Sequence, residues 1–402
     1  MDEVHARPAS VTRVLVPGTL MIAVTFGLAR YGYGLLLPDM RAEIGIGAGA
    51  AGLISSAAYA SYLVANIGVV RLTTLWGPRV AVGAAAAFAA LGMSAIAMAN
   101  GAAALAMGVL LAGAAAGMAF PPYADIVDRD VSVQRRDVVW STISSGTSWG
   151  VALAGPVAIV AGDHWRTAWV AFVVLAVAVG AVSVLLAPAR TSEQLRRPQL
   201  SISWFFCPRS RPLLVSAVLV GGGSSVWWAF SVDAMRNAGL DATSARIVYA
   251  VCGAAMLLAS FSGVVFERRG LRPSYLGSTA LLAASLGLLA VATANVPAAL
   301  VAAVLFGAFY ATVIAAHGIW SAKVFAGHPA AGLAAVSTAL TLGTLAGPVL
   351  AGIMIQYGGY APTLIGAAAV IVAAIPFCPP SAGRRETLAS HEHECTAAPV
   401  RP

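Results

Sequence analysis

Leu153-Ala-Gly-Pro-Val157 is followed 192 residues later by an identical pentapeptide, Leu345-Ala-Gly-Pro-Val349. Two looser matches recur at nearly the same spacing: Val109–Ala114 with Ala303–Ala308 at 194 residues, and Trp76–Arg79 with Arg269–Arg272 at 193. Each match has an equivalent place in the order of apolar segments, so together they indicate two homologous halves. Secondary transporters are often duplicated in this way, with the solute site between the halves near the middle of the membrane.

The composition places most of the chain in lipid. Of its 402 residues, 59% are hydrophobic and 10% are charged, and the mean hydropathy is +0.84. Soluble domains have about 25% charged residues. A membrane span needs about 20 mostly apolar residues, and twelve runs meet that requirement: 14–37, 46–70, 79–99, 102–124, 138–161, 167–187, 213–235, 243–266, 273–294, 297–321, 331–355 and 360–379. The sequence therefore predicts an all-α membrane protein with twelve transmembrane helices in two pseudo-symmetric six-helix bundles.

The longest break between apolar runs divides the predicted helices six and six. We expect residues 1–188 to form an N-terminal bundle and residues 212–380 a C-terminal bundle. The polar segment 189–211 between them is predicted to be a cytoplasmic central loop. The polar stretch 381–402 is expected to be a disordered cytoplasmic tail, because it has too few apolar residues to pack.

The basic residues are unevenly distributed over the predicted loops. Of the 24 Lys and Arg residues, nineteen fall on one side of the membrane and four on the other, with Arg30 left inside a helix. The positive-inside rule places the richer side in the cytoplasm, and an even number of spans puts both termini there. Only Lys323 is a lysine, which is typical of a high-GC bacterial genome. We therefore expect a multi-pass protein of the bacterial cytoplasmic (inner) membrane. The net charge of +8 comes from arginines in short loops between apolar runs, which the positive-inside rule explains better than a nucleic-acid partner.

Motifs for nucleotide-driven or metal-dependent chemistry are missing from the sequence. No G-x-x-x-x-G-K-[ST] segment is present, so nothing indicates ATP hydrolysis. The cysteines have no metal-ligand spacing: Cys207, Cys252, Cys378 and Cys395. A membrane enzyme would need clustered His, Asp or Ser, and a sensor would usually carry a soluble output domain. A channel is disfavoured because a two-half repeat is typical of a rocking carrier. We expect no enzyme activity, no cofactor and no metal.

The segment Gly263–Arg272, GVVFERRGLR, resembles the loop signature G-x-L-x-D-R-x-G-R-R of the major facilitator superfamily. Glu267 stands where the family usually has Asp, and the copy after helix 2 has Thr74 at that position. The resemblance covers about residues 12–380 and implies the twelve-helix fold of that family. It also implies a conformational latch made of Gly263, Glu267, Arg268, Gly270 and Arg272, with Gly77 and Arg79 in the second copy.

Two further segments are similar to this family. Helix 11 carries Gly343, Gly347 and Pro348, which resemble a glycine–proline motif that the family places on helix 5, and helix 5 has a looser version in Gly155 and Pro156. The resemblance implies close helix packing at these residues.

The first helix, Phe26–Met40, resembles the narrower YbfB/YjiJ-like bacterial branch. The Arg that many drug/proton antiporters carry on helix 4 is missing here, where Leu110–Gly113 stand, so proton coupling by that route is not expected.

Arg30 is the strongest candidate for a solute-binding residue, because it lies about two-thirds along predicted helix 1. Even a low estimate puts the burial of an Arg at the membrane centre at about 2.5–3.5 kcal/mol, which needs a reason. The functional interpretation is an anion site in which the guanidinium binds a carboxylate, with Tyr31 and Tyr33 as aromatic neighbours. The alternative is a structural pairing with a carboxylate or helix carbonyls, or an extension toward the outer interface.

Aromatic residues and a histidine on helices 7 and 10 complete the predicted substrate site. His317 and Tyr310 are seven residues apart and share a helical face, and helices 1, 4, 7 and 10 line the cavity in the resembled family. His317 is also a candidate proton carrier, against the alternative of a histidine that packs between helices. Trp227 and Trp228 follow a glycine-rich stretch, and only one of the two can face a cavity. The alternative for this pair is packing in the core or against lipid.

Asp39 and Asp233 are predicted near the outer ends of helices 1 and 7, at equivalent positions of the two halves. They are candidates for proton coupling or gating, with ordinary helix-end polar residues as the alternative.

The function predicted from these features is secondary active transport of a small organic solute by alternating access. An organic anion such as a carboxylate is favoured, with protons as the coupling ion in symport or antiport. The alternative is an efflux pump for amphipathic drugs or secondary metabolites, which Trp227 and Trp228 favour and the missing helix 4 Arg disfavours. The expected partners are the solute, the lipid bilayer and protons, and the chain is expected to be a monomer.

Overall fold

The computed structural model describes residues 11–187, 208–326 and 328–380. These residues form helices joined by short turns, and no β-strand occurs among them. The predicted central loop is described only at residues 208–211. The predicted tail 381–402 and the cysteines Cys207 and Cys395 lie outside the described residues.

Twelve apolar helices follow one another along this part of the chain, and each overlaps one predicted run. They are α1 Val11–Ile44, α2 Ala48–Trp76, α3 Pro78–Ala97, α4 Ala102–Asp130, α5 Val133–Ala161, α6 Trp165–Leu186, α7 Arg211–Asn237, α8 Ala242–Arg269, α9 Leu271–Val291, α10 Val296–Val324, α11 Pro329–Gly358 and α12 Tyr360–Val372. The first eleven are long and apolar enough to cross a membrane, and α12 is a shorter apolar helix of 13 residues. The expected run to 379 is shortened, because α12 ends at Val372 and the prolines at 376, 379 and 380 lack the backbone N–H groups that would extend it.

Turns between consecutive helices repeat between the halves. Gly77, between α2 and α3, has φ +88° and ψ 165°, and Gly270, between α8 and α9, has φ +84° and ψ 157°. A residue with a Cβ is strained at such a positive φ, which explains why glycine stands at both places.

In the turn between α7 and α8, the Asp241 side chain caps α8 by accepting a hydrogen bond of 2.9 Å from the Ser244 N–H. Hydrogen bonds from Ser244 hold the pKa of that carboxyl below its usual range.

The helix directions define two ends of the bundle. The end at which α1 and α7 finish and α2 and α8 begin is called the Asp39 end, and the opposite end, with the α8–α9 turn, is called the Glu267 end. The two halves meet through α1 with α7, α2 with α11 and α5 with α8. Glycines permit two of these contacts: a Cβ built on Gly34 would lie 1.8 Å from the carbonyl oxygen of Trp228, and one on Gly52 would lie 2.1 Å from that of Pro348.

The residues of the predicted glycine–proline segments lie at helix contacts. A Cβ on Gly155 of α5 would lie 2.6 Å from the Ala250 Cβ of α8, across the two halves. Gly343 and Gly347 of α11 lie instead against α7 of the same half, where a Cβ would lie 2.0 Å from the Val218 oxygen and the Ser225 Oγ, respectively. Pro348 is buried and Pro156 is exposed. Small residues therefore bring α11 against both α7 and α2.

Candidate functional site

The helix that carries Arg30 is irregular just before that residue. From Ala23 to Arg30, α1 is a π-helix, and the Tyr31 N–H donates to the Phe26 carbonyl oxygen five residues earlier, at 3.0 Å. Gly27 lies inside this segment against α5, where a Cβ would be 2.3 Å from the Gly150 Cα. Single π turns inside α-helices are frequent at functional sites, and this one ends at Arg30.

Four aromatic rings surround the Arg30 guanidinium. Its central carbon lies 4.3 Å from the ring centre of Tyr62, 4.5 Å from that of Tyr59, 5.4 Å from that of Phe26 and 5.7 Å from that of Tyr31. Such cation–π contacts stabilise a buried cation by roughly 0.5–2 kcal/mol each. No carboxylate of the described residues forms an ion pair with Arg30, and its buried Nε has no hydrogen-bond partner there. The positive charge is therefore surrounded by rings without being neutralised.

A small cavity opens beside Arg30 between the halves. The side chains of Arg30, Tyr31, Tyr33 and Tyr59 line it from one half, and Trp228 lines it from the other. The Trp228 Nε1–H is buried and has no hydrogen-bond partner among the described residues. The Tyr33 hydroxyl donates to the Ala51 carbonyl oxygen at 2.9 Å, so this donor is occupied. Two unused N–H donors, from opposite halves, thus belong to residues that line one cavity.

The structure separates the two adjacent tryptophans. Trp228 packs against Tyr31 across the halves with ring centres 4.4 Å apart, and its ring also contacts Tyr310 at 5.6 Å. Trp227 is fully buried within its own half and stacks on Phe306 at 4.4 Å. The cavity beside Arg30 is lined by Trp228 and not by Trp227.

His317 lies inside the C-terminal bundle and not beside Arg30. Its Nε2 is 2.8 Å from the Ser216 Oγ, which is 2.6 Å from the Tyr275 hydroxyl, and that hydroxyl donates to the Ala374 carbonyl oxygen at 3.3 Å. His317 is buried, and its Nδ1 has no partner among the described residues. The result is a buried hydrogen-bonded chain through α7, α9 and α10, with one free ring nitrogen.

Asp39 and Asp233 each form an ion pair across the two halves. The Arg246 Nη2 of α8 donates to Asp39 at 2.9 Å, and its Nη1 donates to the Ala158 carbonyl oxygen of α5 at 3.1 Å. Arg41 of α1 donates to the Asp233 carboxylate of α7. The Tyr360 hydroxyl, at the start of α12, also contacts this carboxylate. The Asp39 end is therefore closed by two ion pairs that connect the halves.

The residues of the predicted latch lie at the Glu267 end. Glu267, Arg268 and Arg272 are exposed there and form no ion pair with a described residue. Gly263 has open space around its Cα. Arg79, in the other half, donates from Nε to the Ala187 carbonyl oxygen at the end of α6, at 2.9 Å.

Several residues of these sites were not identified from the sequence. Tyr59 and Tyr62 carry a weak signal, since their spacing of three places both on one face of α2. Arg41 and Arg246 were counted only as basic residues of the outer side, although Arg246 is 2% exposed and lies within α8. No group of three or more His, Cys, Asp or Glu residues in the described part of the chain is arranged to hold a metal ion.

Comparisons with known proteins agree with this architecture. A sequence model of the family described as "Uncharacterised MFS-type transporter YbfB" matches residues 22–377. A comparison with curated proteins by sequence finds no match.

Three of the solved structures with a similar fold are those of transporters. The crystal structure of the nucleoside transporter NupG has a TM-score of 0.75 at 10% identity, covering 91% of this chain and 98% of that one. The D-xylose-proton symporter has a TM-score of 0.74 at 13% identity, covering 92% and 97%. A bacterial homologue of the human lysosomal transporter Spinster, in an inward-facing and unoccupied conformation, has a TM-score of 0.67 at 15% identity, covering 91% and 94%. At these identities the likeness shows the fold alone.

Proposed function

The chain belongs to the YbfB-like family of the major facilitator superfamily, and on that premise we propose that it is a secondary active transporter of a small organic anion. The observation that carries this proposal is Arg30, a cation in the interior of the bundle with no neutralising carboxylate among the described residues. Unpaired charges at membrane depth are rare and usually mark the path of a substrate or ion. An anionic ligand would supply the missing charge.

Carboxylate recognition fits the donor groups of the residues that line the cavity. The guanidinium presents its N–H groups in a planar fork that matches the two oxygens of a carboxylate. Within the described part of the chain, neither Arg30 Nε nor Trp228 Nε1 has a hydrogen-bond partner, and the two belong to opposite halves. One anion would therefore satisfy donors of both. A ligand held by both halves is in the position expected for a carrier, in which the site lies between the repeats.

Alternating access would use the two ends of the bundle in turn. The ion pairs Asp39–Arg246 and Asp233–Arg41 hold the Asp39 end together, and the exposed residues of the predicted latch lie at the other end. With both termini in the cytoplasm, as the distribution of basic residues predicts, the Asp39 end faces outward. We therefore interpret the structure as closed to the outside, with Asp39 and Asp233 as gate residues. Glu267, Arg268 and Arg272, with Arg79, would form the latch in the opposite state.

Proton coupling is proposed through His317. Histidine changes its charge near neutral pH more readily than other side chains. His317 is bonded through Nε2 to a chain of hydroxyls, and its Nδ1 has no partner among the described residues. Asp39 and Asp233 are weaker candidates in this state, because both carboxylates are engaged by arginines. We further propose that the protein acts as a monomer in the bacterial inner membrane.

Uptake into proteoliposomes tests the anion proposal. Radiolabelled monocarboxylates would be supplied with and without an imposed pH gradient to wild-type protein, Arg30→Ala and Arg30→Lys. Hydrogen bonds to charged groups contribute about 1.5–3 kcal/mol, so we expect Arg30→Ala to lower uptake about 10- to 150-fold, with partial activity in Arg30→Lys. Arg236→Ala, at the Asp39 end and away from the cavity, is the control. Wild-type uptake that persists in Arg30→Ala for every carboxylate tested contradicts the proposal.

The aromatic lining favours a second candidate function, the efflux of amphipathic compounds. Tyr31, Trp228 and Tyr310 form a continuous set of ring contacts across the halves, and such surfaces also bind neutral or cationic hydrophobic molecules. The same liposomes distinguish the two functions. Transport restricted to neutral or cationic dyes, and unchanged in Arg30→Ala, would favour efflux and make Arg30 a structural residue.

A further inference from the structure

A chain of aromatic rings leads away from Arg30 toward the Glu267 end. Phe26, one of the four rings around the guanidinium, contacts Phe120 of α4 with ring centres 4.8 Å apart, and Phe120 contacts Trp140 of α5 at 5.5 Å. Phe26 also contacts Tyr62 at 5.9 Å. Phe26 is buried, whereas Tyr62, Phe120 and Trp140 are partly exposed. Partly exposed aromatic rings therefore lie between the Arg30 cation and the Glu267 end.

This arrangement differs from an aromatic cage for a cationic ligand. In such cages the rings bind the positive charge of the ligand, but here the place over the rings of Tyr59 and Tyr62 is taken by Arg30 itself. A cationic ligand would be repelled by the guanidinium. Phe120 and Tyr62 are partly exposed, and this remaining ring surface is what we assign to the uncharged body of a ligand.

We infer that the transported anion is an aromatic carboxylate, with its carboxylate at Arg30 and its ring against Phe120 and Tyr62. This inference rests on the proposed anion-carrier function and narrows it to one substrate class. The ring planes of Phe26 and Phe120 are inclined by 67°, and those of Phe26 and Tyr62 by 78°, so both pairs are close to edge-to-face. We expect a ligand ring to pack on Phe120 and Tyr62 in the same way. Edge-to-face pairs are favoured by the charge distribution of aromatic rings beyond the apolar area that they bury.

A matched pair of acids isolates the contribution of the ring. Benzoate and cyclohexanecarboxylate share the carboxylate and the six-carbon ring, but only benzoate is aromatic. The extra stabilisation of an aromatic pair corresponds to about two- to tenfold in affinity. We therefore expect calorimetric titration of the purified protein to show tighter binding of benzoate by that factor. In Phe120→Leu, which keeps an apolar side chain, the advantage of benzoate should disappear while cyclohexanecarboxylate binds as before.

Each outcome has a definite meaning. Phe261→Leu, at a position of α8 that is 67% exposed, is the control and should leave both affinities unchanged. Equal affinity for the two acids in the wild-type protein overturns the inference but leaves the anion carrier intact. An advantage of benzoate that survives Phe120→Leu also overturns it, since the ring then binds elsewhere. If neither acid binds, while amphipathic dyes do, the proposed function itself fails.

Discussion

Arg246→Met should shift the protein toward conformations that are open at the Asp39 end. Arg246 belongs to the C-terminal half, but both of its hydrogen bonds go to the N-terminal half, at 2.9 Å to Asp39 and at 3.1 Å to the Ala158 carbonyl oxygen. Its side chain is 3% exposed. Methionine retains much of the apolar length of the side chain and removes both donors. The substitution therefore acts on the contact between the halves more than on the packing within either half.

The size of the shift follows from these two bonds. Both bonds are donated by the charged guanidinium, and a hydrogen bond to a charged group contributes about 1.5–3 kcal/mol. Part of the loss is recovered, because the Asp39 side chain is 17% exposed and can be rehydrated when the ends separate. A net change of about 1.5–3 kcal/mol would multiply the ratio of open to closed molecules by about 10 to 150. Adding Asp233→Asn, which weakens the second ion pair, should increase that ratio further.

Spin-label distance measurements in lipid nanodiscs test this shift. Labels at exposed positions 163 and 238, in the α5–α6 and α7–α8 turns of the Asp39 end, report the separation of the two halves in a cysteine-free background. Glu43→Gln is the matched control, because the Glu43–Arg166 ion pair lies at the same end but within one half. We expect a longer-distance population in Arg246→Met that Glu43→Gln lacks. Distance distributions that remain unchanged in both Arg246→Met and the double variant would refute the gating role of these ion pairs.

Three further predictions concern helix contact and proton coupling. Gly52→Ala should hinder closure of the Asp39 end and slow transport in a flux assay, because its Cβ would lie 2.1 Å from a backbone oxygen of α11. Gly68→Ala, on the same helix but with open space around it, is the control and should leave the flux unchanged. Gly27→Ala should destabilise the protein by about 1–3 kcal/mol through overpacking against α5, lowering the melting temperature in detergent, while Gly287→Ala should leave it unchanged. His317→Gln should retain substrate binding but lose the stimulation of uptake by a pH gradient, and a fully retained stimulation would exclude His317 as the proton carrier.

The fold could be predicted from the sequence because the thickness of the bilayer sets the length of each apolar run. The stretches of apolar residues predict the twelve runs, and the longest polar break between them predicts the division into six and six. The Gly263–Arg272 motif predicts the α8–α9 turn at Gly270. The position of α12 was correct, but its end was not, since the run to 379 ignored the prolines that stop the helix. Helices α2, α4 and α10 continue for several residues beyond the ends of the predicted apolar runs. These extra turns lie outside the segment that needs to be apolar, so hydropathy does not indicate whether the helix continues there.

The contacts of the site were less predictable, because they depend on packing between distant segments. Asp39 and Asp233 were recognised as equivalent positions of the repeat, but their arginines lie 207 and 192 residues away and are not equivalent to each other. His317 and Tyr310 share a face, as the spacing predicts, yet seven residues of helix separate them by about 10 Å along the axis. Tyr310 therefore packs on Trp228 while His317 bonds to Ser216.

The binding site and the gate act on the same equilibrium, since both connect the two halves. Arg30 and Trp228 line the cavity from opposite halves, and Tyr31, next to Arg30, accepts a hydrogen bond of 2.9 Å on its backbone oxygen from the Tyr249 hydroxyl of α8. An anion that requires both donors binds only molecules in which the halves are close, so its apparent affinity falls with the fraction of such molecules. Arg246→Met, although it touches no ligand, should therefore weaken anion binding by up to the factor by which it depletes the closed state. By the reciprocity of linked equilibria, saturating anion should restore the closed distances in that variant. An affinity unchanged in a variant whose distances have shifted would show that the anion is held by one half alone.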